Sequence, residues 1–181
     1  MKIRNTALLK RRVNSNVKED ELYNGAYAEL IACGKKKAMV CGIGCLGLPH
    51  TIKDRLALFK SEGSSSVDDG VLIDNLGKEF GICPALARLL EAIFVGVNQG
   101  GQKETAKFLR KFARLLPEGQ TITASNVYAF CRKVGLPFNG DEYHRNWAHA
   151  ISWTNSEKEG LEVADKLYQW LKGGARVAAI S

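Results

Sequence analysis

The chain predicts a mainly α-helical bundle of about seven to eight short helices, with a small glycine-rich irregular or β segment near residues 38–48. Three observations carry that expectation. From Lys18 onward the apolar residues recur mostly at spacings of three, four and seven, residues that start or stop helices punctuate the sequence, and strand-like alternation is scarce.

In chain order, Glu19, Asp20 and Glu21 suit a helix N-terminus, and Tyr23, Tyr27, Leu30 and Ile31 make an apolar stripe that Gly34 stops. The run Ala38 to Leu48 is apolar but broken by Gly42, Gly44 and Gly47, which favours a short buried strand or a packed turn over a helix. Thr51 with Asp54 has the form of a capping arrangement, placing Ile52, Leu56 and Phe59 on one helical face before Gly63. Gly63 to Ser66 reads as a loop. Asp68 and Asp69 then cap a helix bearing Leu72, Leu76 and Phe80, which Gly81 and Ile82 end in a Schellman stop. Pro84 fits a first helical position, ahead of Leu86, Leu89, Leu90 and Ile93, and makes this the expected core helix. Gly96 to Gly101 is a loop without either phosphate-binding glycine pattern. A helix follows over Lys103 to Leu116, another over Thr123 to Val134 closed by Gly135, and a third over Asp141 to Trp153. Ser156 and Glu159 box the start of the last helix, which Gly173 and Gly174 stop.

The hydrophobic share of 45% and charged share of 25% match a globular chain and disfavour wholesale disorder, a collagen repeat and a membrane bundle. Lys2, Arg4, Lys10, Arg11, Arg12 and Lys18 precede any acid, so residues 1–17 read as a basic N-terminal arm. No signal-peptide h-region follows them, and the odd count of five cysteines shows no dense disulfide framework, so a cytoplasmic location with reduced thiols is expected. Residues 18–181 read as one helical domain, with at most a smaller lobe, 18–63, beside a bundle over 67–172.

The balance of 26 Lys and Arg against 19 Asp and Glu gives a net charge of +7, which favours a polyanionic partner. Its most informative concentration is Lys103, Lys107, Arg110, Lys111 and Arg114, which project into one helical sector opposite Leu109, Phe112, Ala113 and Leu116. Like charges at these spacings repel, and phosphates would offset that repulsion. With Arg11 and Arg12 they form the candidate nucleic-acid-binding set.

Other chemistries are weaker. Cys41 and Cys45, flanked by Cys33 and His50, have the residue types of a zinc site without matched pairs, and His144 and His149 point to different helical faces. A nucleophilic Cys45 assisted by His50, His144 or His149 lacks a local signature. Arg145 and Asn146 are the only base readers available to a helix-turn-helix unit beginning in Thr123 to Gly135, and Asp141 and Glu142 there repel phosphate. Trp147, Trp153 and Trp170 read as core residues. The expectation is therefore non-catalytic nucleic-acid binding through the phosphate backbone, of a packaging, nucleocapsid-like or accessory regulatory kind, without metal, cofactor or membrane. An adaptor or inhibitor for an acidic protein surface is the first alternative and a small cysteine-dependent enzyme the second.

Overall fold

The computed structural model describes residues 1–23, 28–30, 37–63, 66–136 and 156–180. The protein is mainly helical with a few short strands. Eight α-helices are described: α1 (Thr6–Glu19), α2 (Gly42–Gly47), α3 (Ile52–Ser61), α4 (Asp69–Phe80), α5 (Pro84–Val97), α6 (Gln102–Leu115), α7 (Ala124–Val134) and α8 (Glu157–Lys172). Four strands, β1 (Glu21–Leu22), β2 (Ala28–Leu30), β3 (Ala38–Val40) and β4 (Ser66–Val67), form a small mixed sheet in the order β1-β3-β2-β4. β1 runs parallel to β3, and β2 is antiparallel to both β3 and β4. Among the described residues no single helix is long and apolar enough to cross a membrane.

The centre of the fold is α5. It is apolar around most of its circumference, and a helix of that kind has to be enclosed. All of it from Ala85 to Val97 is buried except Arg88, and α2, α4, α6, α7 and α8 pack around it. Its closest neighbour is α8, because Gly160 brings no side chain to the contact: a Cβ there would stand 2.5 Å from the Val97 nitrogen. Trp170 of α8 is fully buried against Phe130 of α7, with ring centroids 5.0 Å apart.

Most helix ends follow local chemistry. Thr51, Asp68, Thr123 and Ser156 each accept a backbone N–H at the start of α3, α4, α7 and α8, and Asn126 completes a capping box with Thr123. Pro84 opens α5 as expected. Gly81 ends α4 at φ 70°, with its N–H and that of Ile82 donating back to Gly77 and Leu76.

Three expectations are overturned and a fourth, for Ala38 to Leu48, holds only in part. The N-terminal segment is not a solvated arm: Ile3 exchanges backbone hydrogen bonds with Gln120 and Gly119, and Thr6–Glu19 is a helix that buries Leu9 and Val13. The segment is anchored because the last carbonyls of α4 need donors, which the Arg4 side chain supplies to Lys78, the Asn5 amide to Glu79 (2.8 Å) and the Arg4 N–H to Phe80 (3.0 Å).

Where the helix expected after Glu19 is described, at Glu21–Leu22 and Ala28–Leu30, the chain is strand; Tyr27, Ile31 and Gly34 lie outside the described residues. Asp20 starts no helix and instead closes α1, its N–H donating to the Asn16 carbonyl; its buried carboxylate accepts the Ala38 N–H at the start of β3 and two bonds from Arg55. The free edge of β1 is covered by the Gln102 side chain, whose amide bonds both the N–H and the carbonyl of Leu22.

Within Ala38 to Leu48 the strand ends at Val40, and Gly42–Gly47 is helical. Each glycine costs about 1 kcal/mol in a helix, and here tertiary contacts outweigh that. The Glu91 carboxylate of α5 accepts the Ile43 N–H at 3.0 Å, and the bare faces of Gly42 and Gly47 admit Phe94 and Leu72 to ordinary packing distance of the backbone. In α3 the inward stripe is rotated by one position. Phe59 is buried as expected, but Ile52 and Leu56 are exposed, and Arg55 takes the inner place because Asp20 and Asn16 receive its guanidinium.

Candidate functional site

The sequence of α6 separates its two faces sharply. Thr105, Ala106, Phe108, Leu109, Phe112 and Ala113 are buried, while Lys103, Lys107 and Arg114 are exposed and Arg110 and Lys111 half-buried. The helix begins at Gly101, whose φ of 88° suits only glycine. The Thr105 hydroxyl fixes that first turn by bonding the Gly101 carbonyl (2.8 Å) and Asn98 (3.1 Å).

Against α6 lies α1, held by Leu9, Val13 and the buried amide of Asn16. Asn16 donates to the carbonyls of Cys45 and Leu48, both at 2.9 Å, and so ties α1 to α2 as well. With that inner face fixed, the helical repeat turns Lys10, Arg11, Asn14 and Lys18 outward. The outer faces of α1 and α6 therefore meet in one cationic surface.

Where they meet, Lys10, Asn14, Arg110, Ala113 and Arg114 line an open cleft of about 250 Å³. The Arg110 Nε donates across it to the Asn14 side-chain oxygen at 3.2 Å. Three of the five lining residues are cations and none is an acid.

The expected set is thus only partly assembled. Lys103, Lys107, Arg110, Arg114 and Arg11 stand on the outward faces of the two helices. Lys111 is turned toward α8, its ammonium 4.0 Å above the Tyr168 ring, so the ridge is not uniformly open to solvent. An acid also interrupts it: Glu104 lies 3.6 Å from Lys107, at an exposed site where such a pair contributes little. Arg12 is removed from the set altogether. Its guanidinium is buried, 2.5 Å from the Glu79 carboxylate and 4.8 Å from the centre of the Phe80 ring, because its position on α1 faces α4 and not water.

Two members of the site went unrecognised in the sequence. Lys10 and Asn14 were absorbed into an arm, although Leu9, Val13 and Asn16 have the three- and four-residue spacing of a helical inner face, which places Lys10, Asn14 and Lys18 together on the outer one.

The thiols offer a different chemistry, which their surroundings oppose at the described positions. Burial, reinforced by the Glu91 carboxylate, drives the Cys41 thiol well above its ordinary range, and burial and Asp20 do the same for Cys45. Cys131 is pushed up to about 12 by burial, and the half-buried Cys83 is also raised by burial. Such groups stay protonated at neutral pH and are poor nucleophiles. Burial followed by the charges of Arg12 and Arg11 lowers the pKa of His50. Among the described residues no group of three or more His, Cys, Asp or Glu is placed to hold a metal ion. Cys33, His144, His149, Asp141, Glu142, Arg145, Asn146, Trp147 and Trp153 lie outside the described residues. Compared with known protein families, curated proteins and solved structures, the chain matches none.

Proposed function

We propose that this protein binds nucleic acid without catalysis, through phosphate contacts made by the outer faces of α1 and α6. The observation that carries this reading is the cleft in which Lys10, Arg110 and Arg114 converge with no acid among its lining residues. A fold that used these cations only for internal stability would pair them, as it pairs Arg12 with Glu79 and Arg55 with Asp20. Phosphate contacts carry no base sequence, so binding on this surface is backbone-dominated and salt-dependent. The role that follows is one of packaging or accessory regulation.

The test separates location from net charge. Arg110→Glu with Arg114→Glu changes the net charge as much as Lys53→Glu with Lys60→Glu on the exposed part of α3, a helix that contributes no residue to the cleft lining. Binding of generic single- and double-stranded oligonucleotides, followed by fluorescence anisotropy across a salt series, should weaken and lose salt slope for the α6 pair only, by about one unit of log-log slope per lost phosphate contact. Equal weakening by both pairs means diffuse attraction to a basic protein. No binding by the wild-type chain at low salt leaves an acidic protein partner as the reading of the same surface.

A further inference from the structure

The cleft has a feature that a merely solvated basic face lacks. Arg110 is held by a neutral side chain. Its Nε–H is engaged by Asn14 at 3.2 Å, and among the described residues the terminal nitrogens of its guanidinium have no hydrogen-bond partner. A carboxylate at position 14 would fix the same guanidinium and cancel its charge; an asparagine fixes it and leaves the charge intact. The planar fork is thereby oriented at little entropic cost, with two parallel N–H donors available for two oxygens of one anion. The cleft volume of about 250 Å³ falls below the roughly 300–1,000 Å³ of sites that enclose whole small molecules. It suits a compact anion or one unit of a longer one.

We propose that this cleft is a discrete phosphate seat: Arg110 grips one phosphate through its two terminal nitrogens, Asn14 is the positioning residue that orients it, and Lys10 and Arg114 complete the charge around the anion. The inference rests on the polyanion reading above and narrows it from a surface to a site. Three cations exceed the single charge of a phosphodiester, and Lys107, one helical turn before Arg110, extends the cationic line along α6. A strand seated at Arg110 would have its next phosphate over that line. A phosphate contact carries no base sequence, so the seat itself does not select a base.

The experiment follows the Arg110 Nε–H resonance of the full-length chain by NMR during two titrations, one with inorganic phosphate and one with a short oligonucleotide lacking terminal phosphates. A seat gives a saturable shift. Arg110→Lys keeps the charge and loses the fork, and should weaken saturation of binding, read from neighbouring amides, by about tenfold, the loss of one bidentate contact. Asn14→Asp should abolish saturation by pairing the guanidinium internally, and Asn14→Ala should give an intermediate loss. Asn14 is exposed and Arg110 half-buried, and an unchanged thermal melt confirms that each variant is folded. Tighter saturation by the oligonucleotide assigns the seat to a nucleic-acid backbone, and tighter saturation by inorganic phosphate assigns it to free phosphate or a monoester. Linear shifts without saturation in both titrations, or an Arg110→Lys variant that binds like wild type, overturn the seat. If the α6 charge reversal still abolishes oligonucleotide binding in that case, the broader surface reading stands alone; if it does not, both fall.

Discussion

Arg12 on α1 and Arg110 on α6 belong to helices that pack together, yet the fold treats them in opposite ways. Arg12 is buried, paired with Glu79 and stacked on Phe80. Arg110 meets a neutral asparagine and borders an open cleft. Arg55 resembles Arg12: its guanidinium is enclosed with the carboxylate of Asp20 and the amide of Asn16. For these arginines the contrast lies in the group each one faces across the helix seam. Facing an acid, Arg12 and Arg55 tie elements together; facing neutral Asn14, Arg110 keeps its charge uncancelled.

The largest expected effect breaks the buried side of this comparison. Arg55→Ala leaves Asp20, whose side chain has no exposure, as an uncompensated charge. It should cost about 3–5 kcal/mol in denaturant unfolding. A cost near zero would mean that water reaches Asp20 and that the pair is not an internal anchor.

Phe112→Ala tests the inner face of α6 on which the outer face depends. Phe112 has no exposure, so its truncation should cost about 3–5 kcal/mol through lost burial and the cavity left behind. A small loss would show α6 to be loosely seated and the cleft beside it poorly defined.

A smaller effect concerns Glu91, a buried acid with no salt bridge among the described residues. Burial raises the pKa of Glu91 above its ordinary value of 4.5, an effect opposed by the Ile43 N–H and the Cys41 side chain. Over this range the folded protein keeps a proton that the unfolded chain has released. Glu91 therefore weakens the fold progressively as pH rises from 4.5 through its folded value. Glu91→Gln retains an oxygen for the Ile43 N–H and should flatten that decline when urea midpoints are compared from acid to neutral pH. Identical slopes in the two proteins would show that Glu91 is ionised in the fold without penalty.

The smallest effect sharpens the exposed side. Lys107, with a side chain 74% exposed, should tolerate alanine within about 0.5 kcal/mol in thermal unfolding. A loss comparable to that of Phe112→Ala would place Lys107 in an internal ion pair and remove it from the proposed surface.

Much of the helical frame was legible because its signals are local. A cap such as Thr51 or Ser156 acts on an N–H three residues away, and Gly81 and Gly135 supply their own left-handed turns at φ 70° and 78°. The two faces of α6 were legible for the same reason, since helical spacing alone separates Lys107 and Arg114 from Leu109 and Phe112. The sites of error were those whose outcome depends on distant partners. Arg12 finds Glu79 across 67 positions, Arg55 finds Asp20 across 35, and Glu91 finds the Ile43 N–H across 48. Composition around Arg12 resembles a basic arm, and nothing within a helical turn of it indicates that Glu79 and Phe80 will enclose it.

Local sequence was enough to show that the chain is mainly helical, where most helices start and stop, and that α6 sets a basic face against an apolar one, because periodicity and capping operate within a few residues. The tertiary structure alone decided that Thr6–Glu19 packs as a helix, that a glycine-rich segment becomes α2, and which cations are enclosed. It also decided that Asn14 lies opposite Arg110. Those outcomes turn on satisfying buried donors, acceptors and charges with groups far away in the chain, and only the folded packing brings such groups together.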